Sequence, residues 1–372
     1  MTQQKGQTLG VLIDRKNSRW HLGKRTAFLY REMTVWGAKR GIQVFFFFAK
    51  DVNWEKKTVS GWSCSRKGWE QKDFPLPEVI YNRIVERAWE RRPANRELLA
   101  RIQEEKGRVL FNPQFLDKAQ TAQILDSCPE LRHFLPHTGM GSTENLEALL
   151  NAFSGVFIKP VQGCKGQGIV VVRNDGSGGY ILKPAAEKKW QSAATLQKVE
   201  MWLAEWQVPL SDCIVQEEVP RLKIAGCPLD VRALAQKDGT GTWRFVGAAG
   251  RLAKAGREVT HTVHGGRRLP LRKFFREQPF FPAEKMRKNM TWLCQTVPAV
   301  LEKDLAGTWG ILALDLAVLP DGGLRILEVN ARPGSFSETG IRQKSLDCLM
   351  EFVHFLAEGG NYHEAAVHCA EE

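Results

Sequence analysis

Gly310-Ile-Leu-Ala-Leu-Asp315-Leu-Ala-Val-Leu319 and Leu324-Arg-Ile-Leu-Glu328-Val-Asn330 are two strand-like segments separated by Pro320-Asp-Gly-Gly323, a turn signal. A hairpin closed by a two- or four-residue loop sets Asp315 opposite Glu328 across the ladder. Like charges so placed destabilise a sheet unless a cation meets them. Alternation puts Asn330 on the face of Glu328, roughly 7 Å further along. The flanking Ile311, Leu312, Leu314, Leu316, Ile326, Leu327 and Val329 read as buried on both faces, which disfavours a surface hairpin with solvated acids. Two carboxylates and an amide are hard oxygen donors, which Mg²⁺ (or Mn²⁺) accepts while keeping water or phosphate oxygens in its other positions. Asp315, Glu328 and Asn330 are therefore the candidate metal ligands.

A second informative stretch is Val156-Phe-Ile-Lys159-Pro-Val-Gln-Gly163-Cys-Lys165-Gly166-Gln-Gly168-Ile-Val-Val-Val-Arg173. A strand delivers Lys159, a loop carries Gly163, Gly166 and Gly168, and a β-branched strand leaves. Glycines let backbone N–H groups face phosphate oxygens, and lysine adds a point charge. The helical phosphate loop G-x-x-x-x-G-K-[ST] is absent, so the pattern predicts a flap of strand, loop and strand. A plain glycine turn is the alternative. A third stretch, Cys213-Ile-Val-Gln216-Glu217-Glu218-Val219-Pro220, is an apolar strand ending in two acids. It can offer backbone edges to adenine and a carboxylate to ribose, or be an edge strand with solvated acids.

The whole chain sets bounds on these readings. Its 372 residues are enough for two or three packed units, and 43% hydrophobic with 25% charged residues is ordinary for a globular protein. The longest apolar run, Val44 to Ala49, is far too short to cross a bilayer, and no apolar signal core follows the N-terminus. A cytoplasmic location is expected, with the eight scattered cysteines reduced. Cys164 in the flap is either a small filler or a reactive thiol. A net charge of +12 favours polyanionic ligands without choosing among them.

Strand candidates at Leu9–Ile13, Gln43–Ala49, Glu78–Ile84 and Val109–Asn112, with helices at Thr26–Arg40 and Asn95–Glu105, predict a small parallel α/β sheet. Lys50 to Pro77 reads as a β-rich insertion. Its Trp54, Trp62 and Trp69 either pack that insertion or stack on bases, and nucleic acid is the less favoured partner. Further on, Gly139-Met-Gly141 reads as a hinge, followed by helices to Phe153, over Thr195–Trp206, around Glu284–Asp304 and over Glu338–Glu358. The tail after Gly359 reads as frayed.

Taken in order, Lys159 with its flap, Gln216-Glu217-Glu218, Asp230-Val-Arg232, Arg251 and Asp315/Glu328/Asn330 resemble the ATP-grasp superfamily, within it the ribosomal-protein-modifying and glutathione-forming ligases. Asn112-Pro-Gln-Phe-Leu-Asp117-Lys118 and Pro129-Glu-Leu-Arg-His-Phe-Leu-Pro136-His-Thr138 are similar to the YheC/YheD group of endospore coat-associated ATP-grasp proteins, over roughly Leu9 to Leu356. The resemblance implies an α+β ATP-grasp fold. An N-terminal α/β domain would span 1–115 and an ATP-grasp domain 116–358, with a lid over about 143–216, a metal-bearing part over 217–358 and a tail at 359–372. It also implies ATP and Mg²⁺ as cofactors. Lys118, Lys159 and Lys165 would contact phosphates, with Gly163, Gly166 and Gly168 as the flap. Gln216, Glu217, Glu218 and Val219 would form the adenine and ribose edge, with Asp230 beside the nucleotide. Arg232 and Arg251 would face the phosphates or an acyl group.

One departure stands out. Val259-Thr260-His261-Thr-Val-His264-Gly265-Gly266 carries His261 where that branch usually has asparagine. His261 could donate to phosphate, serve as a base near neutral pH, or mark lost chemistry. Around it, Arg251, Lys254, Arg257, Arg267, Arg268, Arg272, Lys273 and Arg276 face only Glu258 in sequence. The expected activity is ADP-forming ligation of an anionic small-molecule or peptide carboxylate to an amine through an acyl phosphate, connected with the spore coat and its proteins. A catalytically silent ATP-binding coat protein and a hydroxyl kinase are the alternatives.

Overall fold

In the computed structural model, residues 7–14, 24–65, 67–106, 109–163 and 166–360 are described. Cys164, Lys165 and the expected tail beyond residue 360 lie outside them. Strands Gln7–Ile13, Ile42–Phe48, Val79–Asn82 and Leu110–Phe111 pair in parallel, as the alternating pattern predicts. The insertion supplies Val52–Asn53, Thr58–Ser65 and Gly68–Pro75 as an antiparallel edge, making a seven-stranded sheet. Successive phenylalanines of Ile42–Phe48 serve opposite faces: Phe45 stacks on Phe74 at 4.1 Å and Phe46 on Tyr30 at 4.4 Å. That explains a fully apolar strand, buried on both sides. Trp62 and Trp69 pack against the core beside Phe46, and Trp54 lies under Arg101, so the tryptophans pack the insertion.

A second sheet has six strands in the order Gln191–Ala193, Tyr180–Pro184, Val170–Asn174, Gly155–Pro160, Cys213–Glu217 and Thr138–Met140. Gly139 and Met140 therefore pair with Val215 and Ile214 instead of forming the expected hinge. At Gly141 a Cβ would lie 1.8 Å from the Leu210 carbonyl oxygen, so close backbone approach, not hinge freedom, requires glycine there. This edge strand also precedes the expected start of the lid.

The third sheet runs Arg267–Leu269, Trp243–Leu252, Cys227–Lys237, Ile311–Val318 and Leu324–Asn330, with Lys223–Ile224 beside Cys227–Lys237. Val231, Ala233, Leu314 and Leu316 on one face pack under the Ala283–Asp304 helix. Leu234, Val246 and Ile311 on the other face join Phe352 and Met350 of the Thr339–Ala357 helix and the N-terminal sheet. Asn112, fully buried at φ 55°, joins the two sheets. Its side chain accepts from the Gly310 and Ile311 amides and donates to the Ile311 carbonyl at 2.6 Å, and also to that of Ala331. Past Leu234 the residues on this face turn polar: Arg232 and Asp230 of the same strand are half-buried and buried. Among the described residues no helix is long and apolar enough to cross a membrane.

Candidate active site

Asp315 does pair with Glu328, but by another route than the expected loop. Leu319 and Gly323 close a three-residue turn (Leu319 N to Gly323 O, 2.9 Å), which sets Leu316 opposite Ile326. Leu327 is then an extra residue, and this bulge restores the register at Asp315. The same row continues across Cys227–Lys237, where Arg232 pairs with Asp315. Arg232 Nε and Nη2 reach the two Asp315 oxygens at 2.6 and 2.5 Å. Asn330 Nδ2 donates to Asp315 Oδ2 at 3.0 Å, and Arg251 Nη1 lies 3.8 Å from Asp315 Oδ1. Burial by itself raises the Asp315 carboxyl, yet Arg232, Arg251 and Asn330 hold it below its usual value.

Glu328 is met by Lys118, at 3.1 Å. Thus the acid pair, which in sequence called for a metal, is already neutralised by Arg232 and Lys118. Among the described residues no cluster of three or more acidic, histidine or cysteine side chains is arranged for a metal. The donor chemistry still fits a hard divalent cation that shares its sphere with phosphate. Glu328 Oε and Asn330 Oδ1 are oxygens beside Asp315, and Asn330 uses only its nitrogen toward Asp315.

Lys118 follows its N-cap Asp117, whose side chain accepts from the amides of Ala119 and Gln120. Lys118 is mostly buried and also donates to the Gly163 carbonyl at 2.6 Å. It therefore ties the flap of the second sheet to the acidic hairpin of the third. Lys159, only 8% exposed, is hydrogen-bonded to Gln216, whose amide donates to Thr138 Oγ1 at 3.0 Å. Burial pushes the Lys159 ammonium down to about 8, against the pull of Glu328. Gly166 and Gly168 occupy left-handed φ of 76° and 69°. A Cβ on Gly166 would lie 3.3 Å from Val259 Cγ1, so the flap rests on the loop that carries His261.

Several groups of the expected nucleotide edge make bonds within the protein. The Glu217 amide donates to the His137 carbonyl, and the Glu218 amide to that of Gly155. Val219 is buried, and its carbonyl accepts from the Arg221 amide. The Glu217 side chain accepts from His137 Nδ1 at 2.9 Å. The Glu218 carboxylate is held bidentately by Arg173 at 2.6 and 2.5 Å, and Arg173 also reaches Glu258 at 3.0 Å. Arg221 donates to the Glu258 carbonyl at 2.8 Å and lies 3.5 Å from Asp230 Oδ1, while Thr260 donates to Asp230 Oδ2. Burial raises the Asp230 carboxyl despite Arg221 and Thr260. Asp230 thus anchors the 257–260 loop. Arg173, Arg221, Glu258 and Thr260 were missed in sequence. The one available signal was Glu258, the sole acid in the basic run.

His261 is not poised near neutrality. Burial, then Arg251 and Arg232, push it down to about 4. Its Nδ1 accepts from the Val263 amide at 3.2 Å, which places the proton of the neutral ring on Nε2. At pH 7 the ring is therefore neutral and carries a donor at Nε2. Of the basic run, Arg251 reaches the cluster and Arg257 is tied to the His264 carbonyl, while Arg267, Arg268, Arg272 and Lys273 are exposed.

A family model described as YheC/D-like ATP-grasp matches residues 107–356. The endospore coat-associated protein YheD of Bacillus subtilis (strain 168) is 28% identical over 317 residues, covering 84% of this chain and 69% of its own. Among solved structures, the VanG D-Ala:D-Ser ligase from Enterococcus faecalis superposes with a TM-score of 0.55 at 13% identity, over 95% of this chain and 100% of that one. The D-cycloserine synthetase DcsG gives 0.53 at 15% identity, over 93% and 99%. At these identities the structural likeness speaks for the fold alone.

Proposed function

The chain belongs to the YheC/D-like ATP-grasp family, and from that premise we propose that it is a Mg²⁺-dependent, ADP-forming ligase joining a carboxylate to an amine, acting in endospore coat formation. The observation that carries the proposal is Lys118, which bridges the glycine flap at Gly163 to Glu328 of the acidic hairpin. Flap, hairpin and Lys159 thereby lie within reach of one another, which supports the reading that they would grip a triphosphate. Asp315, Glu328 and Asn330 would hold the metal, which supplies Lewis-acid neutralisation of phosphate charge. Lys118 and Lys159 would hold phosphate oxygens as point charges, with Lys159 still largely protonated at pH 7. Arg251 and Arg232 would face the charge that develops when a substrate carboxylate oxygen bonds to the terminal phosphorus and the bond to ADP breaks. The amine nitrogen would then bond to the acyl carbon as phosphate leaves, and the ammonium proton passes to solvent. His261 would donate from Nε2 to a phosphate oxygen. Placement and charge supply the catalysis, so no nucleophilic side chain is needed.

The test is ADP release from Mg-ATP by the purified chain, screened over pairs of acids and amines. Release that requires both partners supports ligation. Phosphate transfer to a single hydroxyl compound would replace it with kinase chemistry. Tight nucleotide binding without turnover over the whole screen would leave a silent coat protein.

A further inference from the structure

Arg83 follows the Val79–Asn82 strand and lines a cavity of about 60 Å³. The cavity lies where the Lys24–Lys39 helix, the third sheet, residues 333–336 and the Thr339–Ala357 helix meet. Leu29, Met33, Leu234, Ile311, Phe336 and Leu349 form its apolar wall. The Arg83 guanidinium donates to Tyr81 Oη at 3.2 Å and to the Pro333 carbonyl and Ser335 Oγ at 3.3 Å. These are all neutral acceptors, and no carboxylate among the described residues pairs with Arg83. Arg342 in the same wall is, by contrast, held by both oxygens of Glu32 at 2.6 and 3.2 Å. A guanidinium set in apolar surroundings without a counter-ion is costly, and its planar fork matches a carboxylate.

The cavity adjoins the site already described. Leu234 lies on the same strand and face as Arg232, two residues on, so roughly 7 Å separate the cavity wall from the Arg232–Asp315 pair. Its volume accommodates about four to six waters. That suits a ligand with few heavy atoms and excludes a peptide.

We propose that this cavity binds a small α-amino acid, with its carboxylate on Arg83 and Ser335 and its amine toward the Asp315 cluster. The carboxylate is a handle and does not react. The amine is the acceptor of the ligation, a role that rests on the ligase reading, whereas the binding site does not. In the transfer the nitrogen bonds to the acyl carbon, the carbon–oxygen bond to phosphate breaks, and the amino acid keeps its carboxylate.

Calorimetric titration of the full chain with alanine of either hand, and with alaninamide, tests the site. Alanine is expected to bind saturably, alaninamide at least tenfold more weakly. Arg83→Met should weaken alanine at least tenfold and Arg83→Lys by less, both variants keeping Mg-ATP binding. Equal binding of alanine and alaninamide, or no saturable binding of either hand of alanine, overturns the proposal. If Arg83→Met does not fold, the comparison of alanine with its amide on the native chain decides. Alanine binding that leaves ADP release independent of amine would sink the ligase role and leave the site standing.

Discussion

Replacing Lys159 with methionine should stabilise the nucleotide-free chain while removing its grip on ATP. Burial lowers this ammonium from 10.5 to about 8 even with Glu328 nearby. Each tenfold change in proton affinity is ~1.4 kcal/mol, so the charge costs the folded chain about 3 kcal/mol at pH 7. Methionine keeps the length and packing of the stem. It deprives Gln216 of its partner, a loss of about 1 kcal/mol. The net expectation is a gain of about 2 kcal/mol and a melting midpoint raised by about 3 °C. The sign with pH follows from the lowered value. Below pH 8 the folded native chain bears the cost of the charge, and it regains stability as pH rises from about 8 toward 10.5. The methionine variant lacks that rise. Scanning fluorimetry at pH 7 and pH 10, with and without Mg-ATP, reads both effects. A variant that melts below the native chain at pH 7, yet is stabilised equally by Mg-ATP, refutes the reasoning.

Three further expectations concern neighbouring groups. Glu328→Gln removes the Lys118 ion pair and the anionic charge of a proposed metal ligand together, so ADP release should fall at least ~100-fold with the circular dichroism spectrum unchanged; a smaller loss would dismiss Glu328 as a charged metal ligand. Because His261 is held near 4 and would donate as a neutral ring, the kcat/KM profile should show no limb near pH 6.5, only the alkaline fall of Lys159 near 8, and His261→Asn should retain activity within about tenfold; a limb near pH 6.5 that vanishes in the variant would restore the base. Arg173→Ala removes the cation that holds Glu218, while Glu258 keeps Arg221 and Lys183. It should lower stability by roughly 2–4 kcal/mol and speed proteolysis within residues 253–266; unchanged cleavage there would show that Arg173 does not hold the loop.

What could be read in the sequence was what depends on short-range periodicity. Alternation put Asp315, Glu328 and Asn330 on one face, and glycine spacing placed the flap between its two strands. The loop was misjudged because a three-residue turn and the bulge at Leu327 offset each other, and nothing in Leu-Arg-Ile-Leu-Glu announces an extra residue. The hinge at Gly139 was misjudged because steric crowding from Leu210 and conformational freedom demand the same residue. Long-range ion pairs were beyond reach. Arg173 meets Glu258 across 85 positions, and Lys118 meets Gly163 across 45. Only packing of the second sheet against the 257–260 loop makes Arg173 more than a polar strand end.

These ion pairs bear on how a metal would enter the proposed site. Arg232, Arg251, Lys118 and Lys159 stand against Asp315 and Glu328, so the cluster has more cations than carboxylates. A divalent cation arriving alone would meet repulsion from four positive groups and would have to displace Lys118 from Glu328. A triphosphate arriving with its metal would reverse both terms: its oxygens would take Lys118 and Lys159, which frees Glu328 for the ion while Asp315 stays with Arg232. The electrostatics therefore favour ordered binding, with metal affinity low in the free protein and high only in the presence of nucleotide. The same logic explains how a buried acid pair persists in the fold: Arg232 and Lys118 hold Asp315 and Glu328 in place, and on the proposed reading phosphate would draw the lysine away.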